Sequence, residues 1–184
     1  MWNAATLLCM ALLAADSFAA VNGKQVRKDL RHNIFNKRAV AGSVARGGVG
    51  TIFNTPHQWG RGPDGFAKRV GTSFGKHIIK QAIQTPVAAL HHENLHYQPS
   101  GLHGVMPRLE YAVKSTFIVP RTDRPGKTVA IGRISGNMGA GLASQLWMPA
   151  AGVGAGIASG GIGLGMDVGV HVAKEFWPRH PKTR

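Results

Sequence analysis

Residues 136–172 carry a single charged side chain, Asp167, with His171 counted as neutral, and are rich in glycine. Gly152, Gly156 and Gly160 recur every four residues, and so do Gly161, Gly165 and Gly169. On a helix that spacing makes a shallow face, along which a second backbone can approach closely. Pro149 divides the region, so two helices are expected, over residues 129–147 and 152–177. Residues 150–166 number seventeen, of which seven are glycine, and the larger apolar side chains are few: Val153, Ile157, Ile162, Leu164 and Met166. A bilayer-spanning helix wants roughly 20 predominantly apolar residues. Insertion by this segment alone is therefore marginal, and the expectation is a tightly packed helix in a soluble or membrane-surface domain. GVGAGIASG resembles a dinucleotide-binding glycine loop only loosely, because no clear strand precedes it.

A chain of 184 residues is long enough for one domain with a real core. Only 16% of the residues are charged and 43% are hydrophobic, which argues against a highly charged disordered chain. The 22 basic and 8 acidic residues leave a net charge of +14, spread along the sequence. Such a surplus favours polyanions, either an anionic membrane surface or an envelope polymer. No specific nucleic-acid partner is expected. Cys9 is the only cysteine; once the N-terminus is removed, disulfides and thiol catalysis are both excluded.

Residues 4–15 form a short apolar run, followed by small residues at Ser17 and Ala19 that suit signal peptidase. Residues 1–20 are expected to be a cleaved export signal, although Met1-Trp2-Asn3 lacks the usual basic residue. Residues 21–45 follow as a basic amphipathic segment. Lys24, Arg27, Lys28 and Arg31 share one helical face, and Val26, Leu30 and Ile34 share another. That apolar stripe reads first as core-facing and second as membrane-facing. A helical domain is expected over residues 46–178 and a basic tail over 179–184.

Within the domain, residues 39–53 read as helix in their first half, weakened at Gly47-Gly48. Phe66, Val70, Phe74 and Ile78 recur at i+4 and give the clearest helix. Pro86, with Thr85 as its cap, suits the start of a further helix running to about His96. Leu109, Val113 and Phe117 mark another helix, ending where Phe117-Ile118-Val119 allows a strand. The fold class expected is mainly α: a single compact bundle of about five to seven helices with small-residue (Gly/Ala) packing.

One spacing in the chain has metal chemistry in it. HENLH, at residues 92–96, places His92 and His96 four apart with Glu93 between. On a helix the two imidazoles share a face and hold one zinc, while the glutamate activates a zinc-bound water. A third ligand is wanting: the extended pattern needs glycine and histidine where Pro99 and Leu102 stand. No serine nucleophile constellation is visible.

Several motifs together resemble a family of small exported, uncharacterised bacterial envelope proteins found largely in soil bacteria. The resemblance rests on Trp59-Gly60, on Gly65 through Lys68-Arg69, on His92-Glu93, and on Arg108 and Tyr111. It continues at Asp123 and closes on Lys174-Glu175-Phe176-Trp177-Pro178, covering roughly residues 45–179. In that family's pattern the stretch after His-Glu is Asp-Pro-Arg-like, so His96 is peculiar to this chain. The family brings no known activity, which weighs against an enzyme, and no cofactor is expected unless zinc binds at HENLH. It leaves His92 and Glu93 to brace a helix end, with Arg69 or Arg108 as partners. The expected function is thus a non-enzymatic exported envelope protein, membrane-associated or periplasmic. Two rivals stand beside it: a zinc-dependent hydrolase acting through His92, Glu93 and His96, and a polyanion- or anionic-lipid-binding module.

Overall fold

The computed structural model describes Lys28, His32, Ile34 and residues 36–149 and 152–177. The expected signal, the basic tail and most of the N-terminal amphipathic stripe lie outside the described residues. Ile34 is the exception, buried against Ile78 with Phe74 beside it, so this part of the stripe faces the core.

Five helices and one small hairpin make up the described fold. Helix α1, Lys37–Ile52, begins at Asn36, whose side chain accepts a hydrogen bond from the Ala39 amide at 2.9 Å. It passes unbroken through Gly47-Gly48 and across the domain boundary expected at residue 45. A Cβ on Gly47 would stand 2.4 Å from a Val70 methyl, so this glycine is where the next helix crosses. Packing at the crossing outweighs the weak helix propensity.

Helix α2, Pro63–Leu90, has proline in its first turn and runs for 28 residues, about 42 Å at 1.5 Å per residue. The expected break at Thr85-Pro86 does not occur: Pro86 is buried inside the helix. Proline removes one backbone bond there. The same stretch, at Gln84 and Ala88, is pressed against glycines of a later helix, and that packing holds the line. The helix stops at Leu90, short of His96. Residues 94–103 form an irregular strap with no helix or strand of its own.

Helix α3, Val105–Phe117, leads directly into strand β1, Ile118–Pro120. Strand β2, Lys127–Val129, returns antiparallel with Ile118 opposite Val129 and Pro120 opposite Lys127. Helix α4, Ile131–Ala143, ends in a 3₁₀ turn at Ser144–Leu146, and helix α5, Val153–Phe176, closes the fold. Helices pack in the order α1, α2, α4, α5, α3, which puts α4 in the middle.

Close approach around α4 depends on glycine. A Cβ on Gly132 would lie 2.9 Å from the Ala88 nitrogen, and one on Gly136 would lie 2.9 Å from the Lys80 carbonyl. On the opposite side, a Cβ on Gly141 would lie 2.4 Å from the Gly156 carbonyl. The small-residue packing read from the sequence is thus present on both sides of α4.

Candidate functional site

The interior is more polar than a helical bundle of this size usually is. Its buried apolar residues are mostly alanine, with Ile34, Ile78 and Val119. Arg69, Glu93, Thr116, Arg133, Asn137, Ser144, His171 and Glu175 are buried beside them. Polar groups in such a place must be hydrogen-bonded, and their partners define three knots.

The first knot closes the loop between α1 and α2. Arg69, 4% exposed, donates through Nε to the Thr55 carbonyl at 2.8 Å and through Nη1 to the Gly60 carbonyl at 2.6 Å. Its Nη2 reaches the Pro56 carbonyl at 2.9 Å and Asn54 Oδ1 at 3.2 Å. Gly65 lets this loop fold down, since a Cβ there would lie 2.3 Å from the Trp59 carbonyl. Trp59 is half-buried in a short 3₁₀ turn, and Gly60 takes φ +68°. Lys68 stays outside with Asp64 at 3.6 Å. A lysine has no planar fork with which to bridge four oxygens. Arg69→Lys is therefore expected to destabilise the fold by about 2–3 kcal/mol in urea unfolding, the scale of one or two charged hydrogen bonds. A variant within about 0.5 kcal/mol of the parent would remove the knot as a stabilising device.

The second knot is Glu93, and it disposes of the helical HENLH. His91 follows the end of α2, His92 has φ +53°, and Glu93 bridges to Arg121 in the hairpin turn. The i,i+4 helical face that would bring His92 and His96 to one zinc is therefore not formed. Glu93, 7% exposed, turns inward, and both of its oxygens lie 3.1 Å from the Gly132 amide at the start of α4. Burial raises its pKa, against the opposing pull of that amide. It caps a helix N-terminus, where a carboxylate is favoured. Its partner is neither Arg69 nor Arg108, as expected from the sequence, but a backbone amide 39 residues further on. Among the described residues no three His, Cys, Asp or Glu side chains gather as a metal site.

The third knot ties the strap to the end of α5. Glu175, 2% exposed, accepts from the Tyr97 hydroxyl at 2.5 Å, from Ser100 Oγ at 2.5 Å and from the Ser100 amide at 3.1 Å. Arg108 adds Nε at 3.4 Å, bonds the Glu175 carbonyl, and stacks over Phe176 at 4.4 Å. Burial pushes this carboxyl up, but donation from Ser100, Tyr97 and Arg108 wins and brings its pKa down to about 2. Tyr97 also stacks on His171 at 4.4 Å, and His171 Nδ1 meets Thr116 Oγ1 at 2.9 Å. Burial, with Arg133 nearby, holds His171 neutral with a pKa near 4. Tyr111 donates to the Gln98 carbonyl at 2.9 Å and holds the same strap. Asp123 stays in the hairpin turn, paired with Arg121 at 2.6 Å, while Lys174 and Trp177 are exposed at the end of α5.

Two further contacts have no signal in the sequence. Lys80 and Asp167 form an ion pair at 2.6 Å, joined by Asn137 at 2.8 Å, which locks α2, α4 and α5 together. Lys76 Nζ lies 2.6 Å from Ser159 Oγ, with its pKa lowered by burial. A lysine beside a serine is a nucleophile–base pair in outline. Ser159, however, sits in the second turn of α5, past the free amides of the first, where the backbone amides belong to the helix ladder and form no oxyanion hole. Both contacts span more than 80 residues, which no local pattern reveals.

The outer surface has the opposite character. The inward face of α5 carries Gly156, Gly160, Asp167, His171 and Glu175, while Val153, Ile157, Ile162, Met166 and Val170 point out. Only 11% of the most apolar stretch of this helix is buried, and it is long and apolar enough to cross a membrane by length and composition. Comparison with protein-family models, with curated proteins and with solved structures gives no match.

Proposed function

We propose that this chain is a non-enzymatic envelope protein, exported through its N-terminal segment and held against an anionic membrane surface by the outward face of α5. The observation that carries this reading is the arrangement of that helix, polar and small toward the bundle, apolar toward the outside. Exposed side chains such as Ile162 at 62% and Val153 at 71% form a stripe suited to the acyl boundary of a bilayer. Glycine, Asp167, His171 and Glu175 on the other face bind the helix to its neighbours, which favours lying on the membrane over crossing it. The net charge of +14 adds attraction to acidic head groups. The absence of catalysis is supported by the fate of the interior carboxylates: Glu93, Asp167 and Glu175 are each committed to structural donors.

Fractionation of the host envelope tests this, with the mature N-terminus read from the same sample. The protein is expected to be processed near residue 20, to stay with membranes through a high-salt wash, and to leave in alkaline carbonate. Release by salt alone would leave charge as the only attachment and favour the polyanion-binding reading. Retention through carbonate would mean that α5 is embedded. An unprocessed cytoplasmic protein would end the proposal.

A further inference from the structure

Between the strap, the end of α3 and the hairpin lies a cleft of about 170 Å³. It plays no part in the knots described above, although it borrows Tyr97, Gln98 and Tyr111 from the third of them. Its walls combine two kinds of group. Tyr97, Tyr111, Leu95, Ile118 and Pro120 supply rings and apolar carbons. His96, Lys114, Lys127 and Arg133 supply nitrogen, and no aspartate or glutamate lines it.

The positive charge in these walls is unevenly compensated. Lys114 is paired with Glu110 outside the cleft. Lys127 makes no ion pair among the described residues. Arg133, 4% exposed, is bonded to carbonyl oxygens: Thr116 at 2.6 Å, Ser115 at 3.1 Å and Leu95 at 3.2 Å. These oxygens orient the guanidinium but carry no full charge. The two nearest acids are spent elsewhere, Glu93 on the Gly132 amide and Asp167 on Lys80 and Asn137. The tyrosine hydroxyls are committed as well, to Glu175 and to the Gln98 carbonyl, which leaves their rings as the faces the cleft can offer. An entering anion would gain from a buried cation in surroundings of low dielectric.

Size narrows the ligand. A cavity of about 150 Å³ accommodates a benzene ring. The cleft therefore has room for one ring and a small charged group, and not for a nucleotide or a peptide. We propose that it binds a small carboxylate carried on a flat apolar ring, with the ring against Tyr97, Tyr111 and Pro120 and the carboxylate toward Arg133 and Lys127. This does not depend on the membrane reading, because none of these groups belongs to α5.

The test is a titration of the full chain followed by amide NMR, with benzoate as probe. Benzamide serves as its uncharged counterpart, and inorganic phosphate as an anion without a ring. Benzoate is expected to saturate with a Kd in the millimolar range or tighter, with both controls about ten-fold weaker or more. The shifted amides should be those of Leu95, Tyr97, Ser115 and Lys127. Lys127→Glu is expected to weaken benzoate by about five-fold or more, and Lys127→Ala by less, without change in circular dichroism. The position is exposed on β2, so both variants should fold. No saturation by about 20 mM benzoate overturns the proposal. Benzamide binding as well as benzoate would show that the charge is unused, and phosphate binding as well would reduce the site to an adventitious ion only. Indifference to both Lys127 substitutions would place the anion elsewhere.

Discussion

Gly141→Ala should lower the stability of this fold by about 3 kcal/mol or more, the upper end of what overpacking one methyl group costs. The added Cβ would meet the Gly156 carbonyl at 2.4 Å, the Gly160 nitrogen at 2.6 Å and the Gly160 Cα at 2.9 Å. All three are backbone atoms of α5, so no side chain can swing aside. Relief requires α4 and α5 to separate, and the Asp167 contacts to Lys80 and Asn137 stretch with them. The melting temperature should fall by about 6–12 °C for a chain of this length. Gly161→Ala and Gly154→Ala are the controls. Both lie in α5 with nothing within 4 Å of the new methyl group. Each should stabilise by up to about 1 kcal/mol through helix propensity alone. Paired urea melts of the three variants decide the matter. If Gly141→Ala behaves like Gly161→Ala, the α4–α5 seam is not where this structure places it.

Glu175→Gln has the next largest expected effect, again about 3 kcal/mol. The carboxylate accepts from Tyr97, twice from Ser100, and from Arg108. An amide keeps the shape but replaces one acceptor with a donor, which then faces hydroxyls and a guanidinium. The strap should loosen before the bundle does, so limited proteolysis ought to cut first within residues 94–104. The same group and its neighbour predict an acid response in two stages. His171 is held neutral with a pKa near 4, against about 6.5 in an unfolded chain. The unfolded state therefore binds the extra proton first, and stability falls as pH drops from about 6.5 to 4. Glu175, depressed to about 2, contributes stability that is complete above its unfolded pKa near 4.5 and is lost as pH falls toward 2. Chemical unfolding at a series of pH values should show both stages in the parent. The lower stage should be missing in Glu175→Gln and the upper one in His171→Phe. A parent whose stability is flat between pH 6.5 and 4 would contradict the environment described for His171.

Helices were legible where their periodicity was local. Phe66, Val70, Phe74 and Ile78 marked α2, and the four-residue glycine spacing marked α5 together with the close packing it permits. The errors fell where long-range packing overrode a local signal. Pro86 reads as a helix start, yet α4 presses on both sides of it. Gly47-Gly48 reads as a weak point, yet Val70 needs the space. HENLH illustrates the same limit in chemistry. Its spacing has meaning only on a helix, and the residues that follow the end of α2 are positioned by distant partners: His92 by Thr122, Glu93 by Arg121 and Gly132, and Asn94 by Pro120. Arg69, Glu93 and Glu175 stood out in the sequence as motif positions, and each proves to be an interior bond-maker, with Arg108 half-exposed beside Glu175. Lys80–Asp167 and Lys76–Ser159 left no trace, because each joins residues more than 80 positions apart.

The polar interior also bears on how this protein responds to temperature. The heat-capacity change of unfolding comes from newly wetted apolar surface, while wetted polar surface subtracts from it. A fold that keeps Arg69, Arg133, His171 and Glu175 inside and leaves Ile162 and Val153 outside has less apolar surface left to wet. Its stability curve is expected to be correspondingly shallow, falling slowly in the cold as well as in the heat, with the enthalpy of its charged hydrogen bonds persisting on cooling, where an oily core would already be weakening.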